Sequence, residues 1–360
     1  MASLTLFRKR VVKTSLFPTC GLEAAIQRLG FLQADPIRCP ARAQDLILRH
    51  RVKRYRAGDL EKSYPKLELE ECFLYAYGFS AKDLWQLIHP KTKKAITDAE
   101  KEVLDLVAQF GPMHPTQLEA RIGGRRAKNN WGGFSRSAKL ALESLHQRGA
   151  LRVQRREKGI RLYETAAPLS PSPLTEEQRF QEIVVIALQS MGATTRKFLL
   201  SELSHFGYLV ANPRARRRCV EELVTVGRIR VDQVDAAEYL SLEEGKAVRG
   251  QADKVRILAP FDPIVRDRTR LEHLWNWTYR FEAYTPKAKR KLGYYAMPVL
   301  WREEIIGWAN ATVERGRLMV KIDYLSRRPD EVEYQEAVQQ EIFQLTSFLN
   351  LEEGAFEASW

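Results

Sequence analysis

Gln33 and Asp35 are the pair whose types and spacing best suit chemistry. They stand in Leu29-Gly-Phe-Leu-Gln33-Ala-Asp35-Pro-Ile, a stretch that reads as a short strand after a helix. On a strand, positions i and i+2 share a face, so a carboxamide and a carboxylate converge on one spot. Such a pair can hold a water by a hydrogen bond and take its proton. The same letters also suit a turn, because Asp before Pro commonly binds its own backbone two residues on. The residues alone leave both readings open. Cys20, Cys39, Cys72 and Cys219 form no C-x-x-C, and none lies beside a His at metal-ligand spacing. With no P-loop and no His cluster either, no metal or other cofactor is expected.

Around this pair the chain is strongly basic. Its 360 residues carry 58 Lys and Arg against 45 Asp and Glu, a net charge of +13. A folded protein with that excess usually meets a polyanion. The cations concentrate between Arg121 and Arg161. Lys128, Arg136 and Lys139 lie before and within one amphipathic helix, and Arg152, Arg155, Arg156 and Lys158 lie on the hairpin after it. Trp131 sits in the Gly-rich stretch before that helix, where an exposed ring can stack on a base; it equally suits a core position. Ser135 reads as the helix cap, which would offer free N–H groups to a phosphate. Double-stranded DNA is the expected partner.

The elements that must position these residues repeat. Leu145-His-Gln-Arg-Gly149-Ala-Leu151, Leu223-Val-Thr-Val-Gly227-Arg-Ile229 and Ile26-Gln-Arg-Leu-Gly30-Phe-Leu32 share one spacing. Each reads as a helix closed by Gly, then a strand. In this alignment Gln33 takes the place of Arg152 and Arg230. Helix, strand, turn and returning strand end a winged helix-turn-helix. The fold class is therefore α+β. Tandem winged-helix units at 1–93, 94–168 and 175–250 precede a β-barrel-like region at 251–360 with a terminal helix over Glu331 to Leu349. A Pro- and Ser-rich linker spans Pro168 to Pro173. No run is apolar enough for a membrane span or a signal peptide, so a monomer in the cytoplasm, at the nucleoid, is expected.

These stretches resemble one family across most of the chain, the winged-helix DNA glycosylases similar to AlkZ and YcaQ. The resemblance is carried by the Gln33-Ala-Asp35 stretch with Arg42-Ala-Gln44-Asp45, and by Trp131-Gly-Gly-Phe-Ser135. It continues in Leu258-Ala-Pro260-Phe-Asp262-Pro with Arg266-Asp-Arg268, and in Tyr284-Thr-Pro286 with Lys289-Arg290-Lys-Leu-Gly293-Tyr-Tyr. It implies hydrolysis of the N-glycosidic bond of N7- or N3-alkylated purines, some within interstrand crosslinks. It places the catalytic Gln-x-Asp on Gln33 and Asp35, and adds Arg266 and Arg268 to the expected DNA contacts. Two departures stand out: Tyr75-Ala-Tyr77 where the family has Trp-x-His, and Gly307-Trp308-Ala-Asn310 where Arg and Asp commonly follow the Gly. The alternative function is a non-catalytic winged-helix DNA binder.

Overall fold

The computed structural model describes residues 3–91, 95–123, 126–128, 134–169, 172–242 and 254–360, with the side chains of 126–128 and 134–136 left aside. Helix α1 (Leu4–Ser15) leads to α2 (Leu22–Leu29), β1 (Phe31–Gln33), α3 (Ala43–Leu48), α4 (Asp59–Ser63) and the hairpin β2 (Leu69–Phe73) and β3 (Tyr77–Ala81). After α5 (Lys82–Ile88) come α6 (Asp98–Phe110), α7 (Pro115–Ile122), a small ribbon of β4 (Arg126–Lys128) and β5 (Phe134–Arg136), α8 (Ser137–Gln147), and the hairpin β6 (Leu151–Glu157) and β7 (Ile160–Thr165). The order returns with α9 (Glu176–Met191), α10 (Arg196–Glu202), α11 (Pro213–Thr225) and the hairpin β8 (Arg230–Val234) and β9 (Ala237–Ser241).

Three stretches thus share one plan: helix, short extended piece, two helices, hairpin. In each, the extended piece pairs with the last strand of its hairpin. β1 pairs antiparallel with β3, Met113 bridges to Tyr163 of β7, and Thr194 bridges to Leu240 of β9. The opening helices start where the sequence supplies caps. Thr97 with Glu100, and Thr175 with Gln178, close reciprocal capping boxes on α6 and α9.

The plan corrects the Gly-centred alignment. Gly149 and Gly227 end the helix before a hairpin, but Gly30 ends the opening helix α2. Its counterparts are Gly111 and Gly192, which end α6 and α9; all three have φ near +70°. Gln33 therefore matches His114 and Thr195, the caps of α7 and α10, rather than Arg152 and Arg230. A helix stopped by a positive-φ Gly before an extended piece occurs twice in each of the second and third units, and spacing alone cannot tell the two apart.

The remainder comprises β10 (Val255–Ile257), α12 (Pro263–Arg266), α13 (Arg268–Trp275), β11 (Met297–Trp301), β12 (Glu304–Glu314), β13 (Arg317–Tyr324), α14 (Val332–Phe348) and β14 (Phe356–Ser359). The five strands form one sheet in chain order, antiparallel except for the parallel pair β13–β14, and curled into a half-barrel. α14 covers it through Tyr334, Val338, Ile342 and Leu345.

The core does not respect the borders read from the sequence. One apolar cluster runs from Phe17 through Leu142 and Tyr163 to Val299 and Phe348. Helix α1 packs with Tyr239, Leu271 and Leu300 in another cluster, between the third unit and the C-terminal region. Among the described residues, no helix is long and apolar enough to cross a membrane.

Candidate active site

The chain around Gln33 is extended for only three residues. β1 ends at Gln33, and Asp35 lies beyond it in a turn rather than on the same strand. The Ile37 N–H donates to Asp35 Oδ1 at 2.9 Å, so the turn expected from Asp before Pro is formed. The Asp35 N–H donates to Gln44 Oε1 at 3.2 Å, and the Ala34 N–H to the Tyr77 carbonyl at 2.9 Å. Asp45, beside Gln44, is buried and accepts from Tyr55 Oη at 2.6 Å and from the Gly58 N–H at 3.2 Å. The second half of the N-terminal signature is thus a brace for the first. Asp35 Oδ2 makes no hydrogen bond among the described residues. Burial pushes the Asp35 carboxyl up, and the Ile37 hydrogen bond opposes this in part.

Gln33 is held from the far end of the chain. Arg266, on α12, donates Nη1 to Gln33 Oε1 and Nη2 to Glu202. Its guanidinium lies 4.0 Å from the centre of the Tyr75 ring. Tyr75 Oη meets Ser190 Oγ at 2.6 Å, and that hydroxyl donates to the Phe31 carbonyl at 2.7 Å. With the amide oxygen taken, the Gln33 NH₂ is the free end. A cavity of about 10 Å³ lies here, lined by Gln33, Arg266, Tyr75, Ser190, Phe261 and other apolar side chains. That is the scale of a single water. Arg266, expected on DNA, clamps the Gln-x-Asp element in this structure.

Tyr295 is a residue that sequence reading passed over. It is 1% exposed, and its hydroxyl has no hydrogen-bond partner among the described residues. Burial, with the charge of Asp35 adding to it, pushes this phenol well up. A buried hydroxyl without a partner in the free protein costs stability. Tyr295→Phe is therefore expected to keep or raise Tm in thermal unfolding; a clear fall would show that the hydroxyl has a partner after all.

The basic residues expected on DNA divide by what they touch. Lys139 is exposed on α8, within 3.9 Å of Glu143, and Lys158 is exposed at the β6–β7 tip. Arg155 donates to Glu157 and Gln154. Arg152 pairs with Glu70 and Glu164. Arg156 gives two hydrogen bonds of 2.6 Å to the fully buried Glu71, which Tyr77 Oη and Arg161 also approach. Burial alone would raise the Glu71 carboxyl, but Arg156, Arg161 and Tyr77 outweigh it and hold it down. The phenol that replaces the family's His is thus part of the joint between β2 and β6–β7. The hairpin tip is docked as well, with the Gly159 N–H on Glu61 Oε1 at 2.9 Å.

Arg268 is largely enclosed, donating to the Val265 and Pro260 carbonyls. Burial brings its guanidinium down to about 10. Ser135 is no helix cap: it lies in β5, and α8 begins at Ser137. Lys128 and Arg136 are described in backbone only, and Trp131 lies outside the described residues.

The overall arrangement, a helical N-terminal two-thirds followed by a half-barrel with a terminal helix, has a counterpart among solved structures. The structure is similar to the DNA glycosylase AlkZ of Streptomyces sahachiroi, with a TM-score of 0.64 at 14% identity over 99% of this chain and 100% of that one. The sequence matches the family described as DNA glycosylase AlkZ-like over residues 26–348. The protein belongs to the AlkZ-like family of DNA glycosylases.

Proposed function

We propose that this glycosylase hydrolyses the N-glycosidic bond of purines alkylated at N7 or N3, including those within interstrand crosslinks, and that Gln33 and Asp35 do the chemistry. The observation that carries the proposal is a Gln33 amide whose oxygen is clamped by Arg266, followed two residues on by a half-buried Asp35 carboxyl with one oxygen that makes no hydrogen bond among the described residues. An alkylated purine already bears positive charge, so it leaves without a proton from the protein. As the bond to C1′ breaks, its electron pair passes to the purine and neutralises it. The sugar becomes oxocarbenium-like. The Asp35 carboxylate stabilises that cation. A water held by the Gln33 NH₂ attacks C1′, and Asp35 takes its proton. Hydrolysis by water, rather than attack by a lysine amine, leaves an abasic site in an otherwise intact strand.

The repeated plan of helix, extended piece, two helices and hairpin is the order of a winged helix-turn-helix, and three such units at 1–93, 94–168 and 175–250 are our reading of it. We assign DNA contacts to the exposed Lys139 and Lys158, to Arg155, and on the sequence pattern to Lys128, Trp131 and Arg136. Arg152, Arg156 and Arg268 serve the interior. A monomer acting at the nucleoid fits this role.

The test is base release by the wild-type protein from duplex DNA carrying N7-methylguanine. Free base and an alkali-labile abasic strand are expected. No release from this duplex or from bulkier N7 and N3 adducts would overturn the proposal.

A further inference from the structure

The loop from Glu282 to Gly293 is built with unusual care for a surface segment. The buried Glu282 carboxylate accepts three successive backbone N–H groups, from Lys291 and Leu292 at 2.8 Å and from Gly293 at 3.3 Å. Arg290 Nε donates to the Thr285 carbonyl at 2.8 Å. Trp308 Nε1 and Asn310 Nδ2, both on β12, donate to the Leu292 carbonyl at 2.9 and 2.8 Å. Gly293 has φ +123°, and a Cβ there would fall 2.1 Å from Asn310 Oδ1. Trp308 and Asn310, which make up the second departure from the family pattern, are thus the posts to which this loop is tied.

What the ties present is an aromatic ring in water. Tyr284 is 81% exposed. Lys287, Lys289 and Lys291 are exposed around it and make no ion pair among the described residues. The ring is not remote from the chemistry. It packs edge-on to Phe281 at 6.2 Å; Phe281 meets Tyr295 at 5.4 Å and Phe261 at 5.1 Å; and Phe261 lines the cavity at Gln33. Tyr284 is the outer end of an aromatic wall whose inner end is the active site. A preorganised loop with three free cations around an exposed ring fits one partner, the charged and stacked duplex.

We propose that this loop grips duplex DNA at the damaged step, Tyr284 packing against a nucleobase beside the lesion while Lys287, Lys289 and Lys291 pair with phosphates. The proposal rests on the active-site reading of Gln33 and Asp35. It adds a recognition element that the basic hairpin of the second unit does not supply.

The test uses a duplex with a tetrahydrofuran abasic analogue flanked by 2-aminopurine, which reports stacking without any base release. Tyr284→Ala should weaken binding by about tenfold to a hundredfold and abolish the wild-type fluorescence change, with Tm unaltered. Tyr284→Phe should retain both. Replacing the three lysines by Ala should lower the slope of log K against log salt by about 3. Asn310→Ala, which removes a tie but no contact surface, should fall between wild type and Tyr284→Ala. Wild-type binding and fluorescence in Tyr284→Ala would overturn the proposal. Dependence on Tyr284 without base release from any alkylated duplex would keep the grip and remove the catalytic reading. Base release indifferent to Tyr284 would do the reverse.

Discussion

Asp35→Asn is expected to lower single-turnover base release by about 10²- to 10⁴-fold, the range for loss of a general base, while duplex binding persists. Asn is the informative replacement. Its side-chain oxygen can still accept the Ile37 N–H, so the turn that places the residue survives. The backbone bond to Gln44 does not involve the side chain at all. Only the charge is lost, and with it the proposed acceptor of the water's proton.

The pH dependence follows from the same burial. The carboxyl of Asp35 is raised above the ordinary Asp value because burial disfavours its charged form. The acid limb of the wild-type rate profile should therefore lie above the ordinary carboxylate range. A raised folded-state pKa also means that the ionised group costs stability once pH exceeds that pKa. Asp35→Asn should raise Tm at neutral pH, and the gain should fade as pH falls and Asp35 protonates. Unchanged release in Asp35→Asn would remove the catalytic assignment. Loss of binding together with loss of release would make the residue a part of the DNA surface instead.

The local elements were legible because their causes are local. Thr175 as a cap before Glu176 and Glu177, Gly149 before Leu151, and the turn read at Arg156 to Gly159 each act within a few residues; α9 and β7 lie where those signals put them, and β6 runs on to Glu157, into the residues read as the turn. The terminal helix was read to within a residue at each end. The Gln-x-Asp pair was legible as a candidate, but its geometry was not, since nothing in the letters says that β1 stops at Gln33. The basic stretch misled for a physical reason. Between Arg121 and Arg161 only Glu143 and Glu157 are acidic, so its cations looked unopposed. Their partners come from elsewhere: Glu70 and Glu71 from β2, and Glu100 from α6. The hold of Arg266 on Gln33 was not legible either, because it joins residues that no spacing rule connects.

Those long-range ties make the last prediction. Arg51 and Asp262 are both 0% exposed and form a two-pronged pair, Nη1 to Oδ2 at 2.8 Å and Nη2 to Oδ1 at 3.1 Å. Arg51 also donates to the carbonyls of Ser15 and Ile47, and Asp262 caps α12 through the Ile264 N–H. One ion pair therefore joins the end of α1, the helix α3 and the helix that carries Arg266. Removing one partner strands the other as a buried charge, which costs about 3–5 kcal/mol. Asp262→Ala should lower the stability measured by urea unfolding by that amount. Base release should fall in the fraction that stays folded, because α12 holds the clamp on Gln33. The double variant Arg51→Met with Asp262→Leu removes both charges and should lose less than the sum of the two single changes. If Asp262→Ala unfolded at the wild-type urea midpoint, the pair would not be the tie that sets α12 against the first unit. The position of Arg266 would then have to come from apolar packing of Ile264 and Val265 alone.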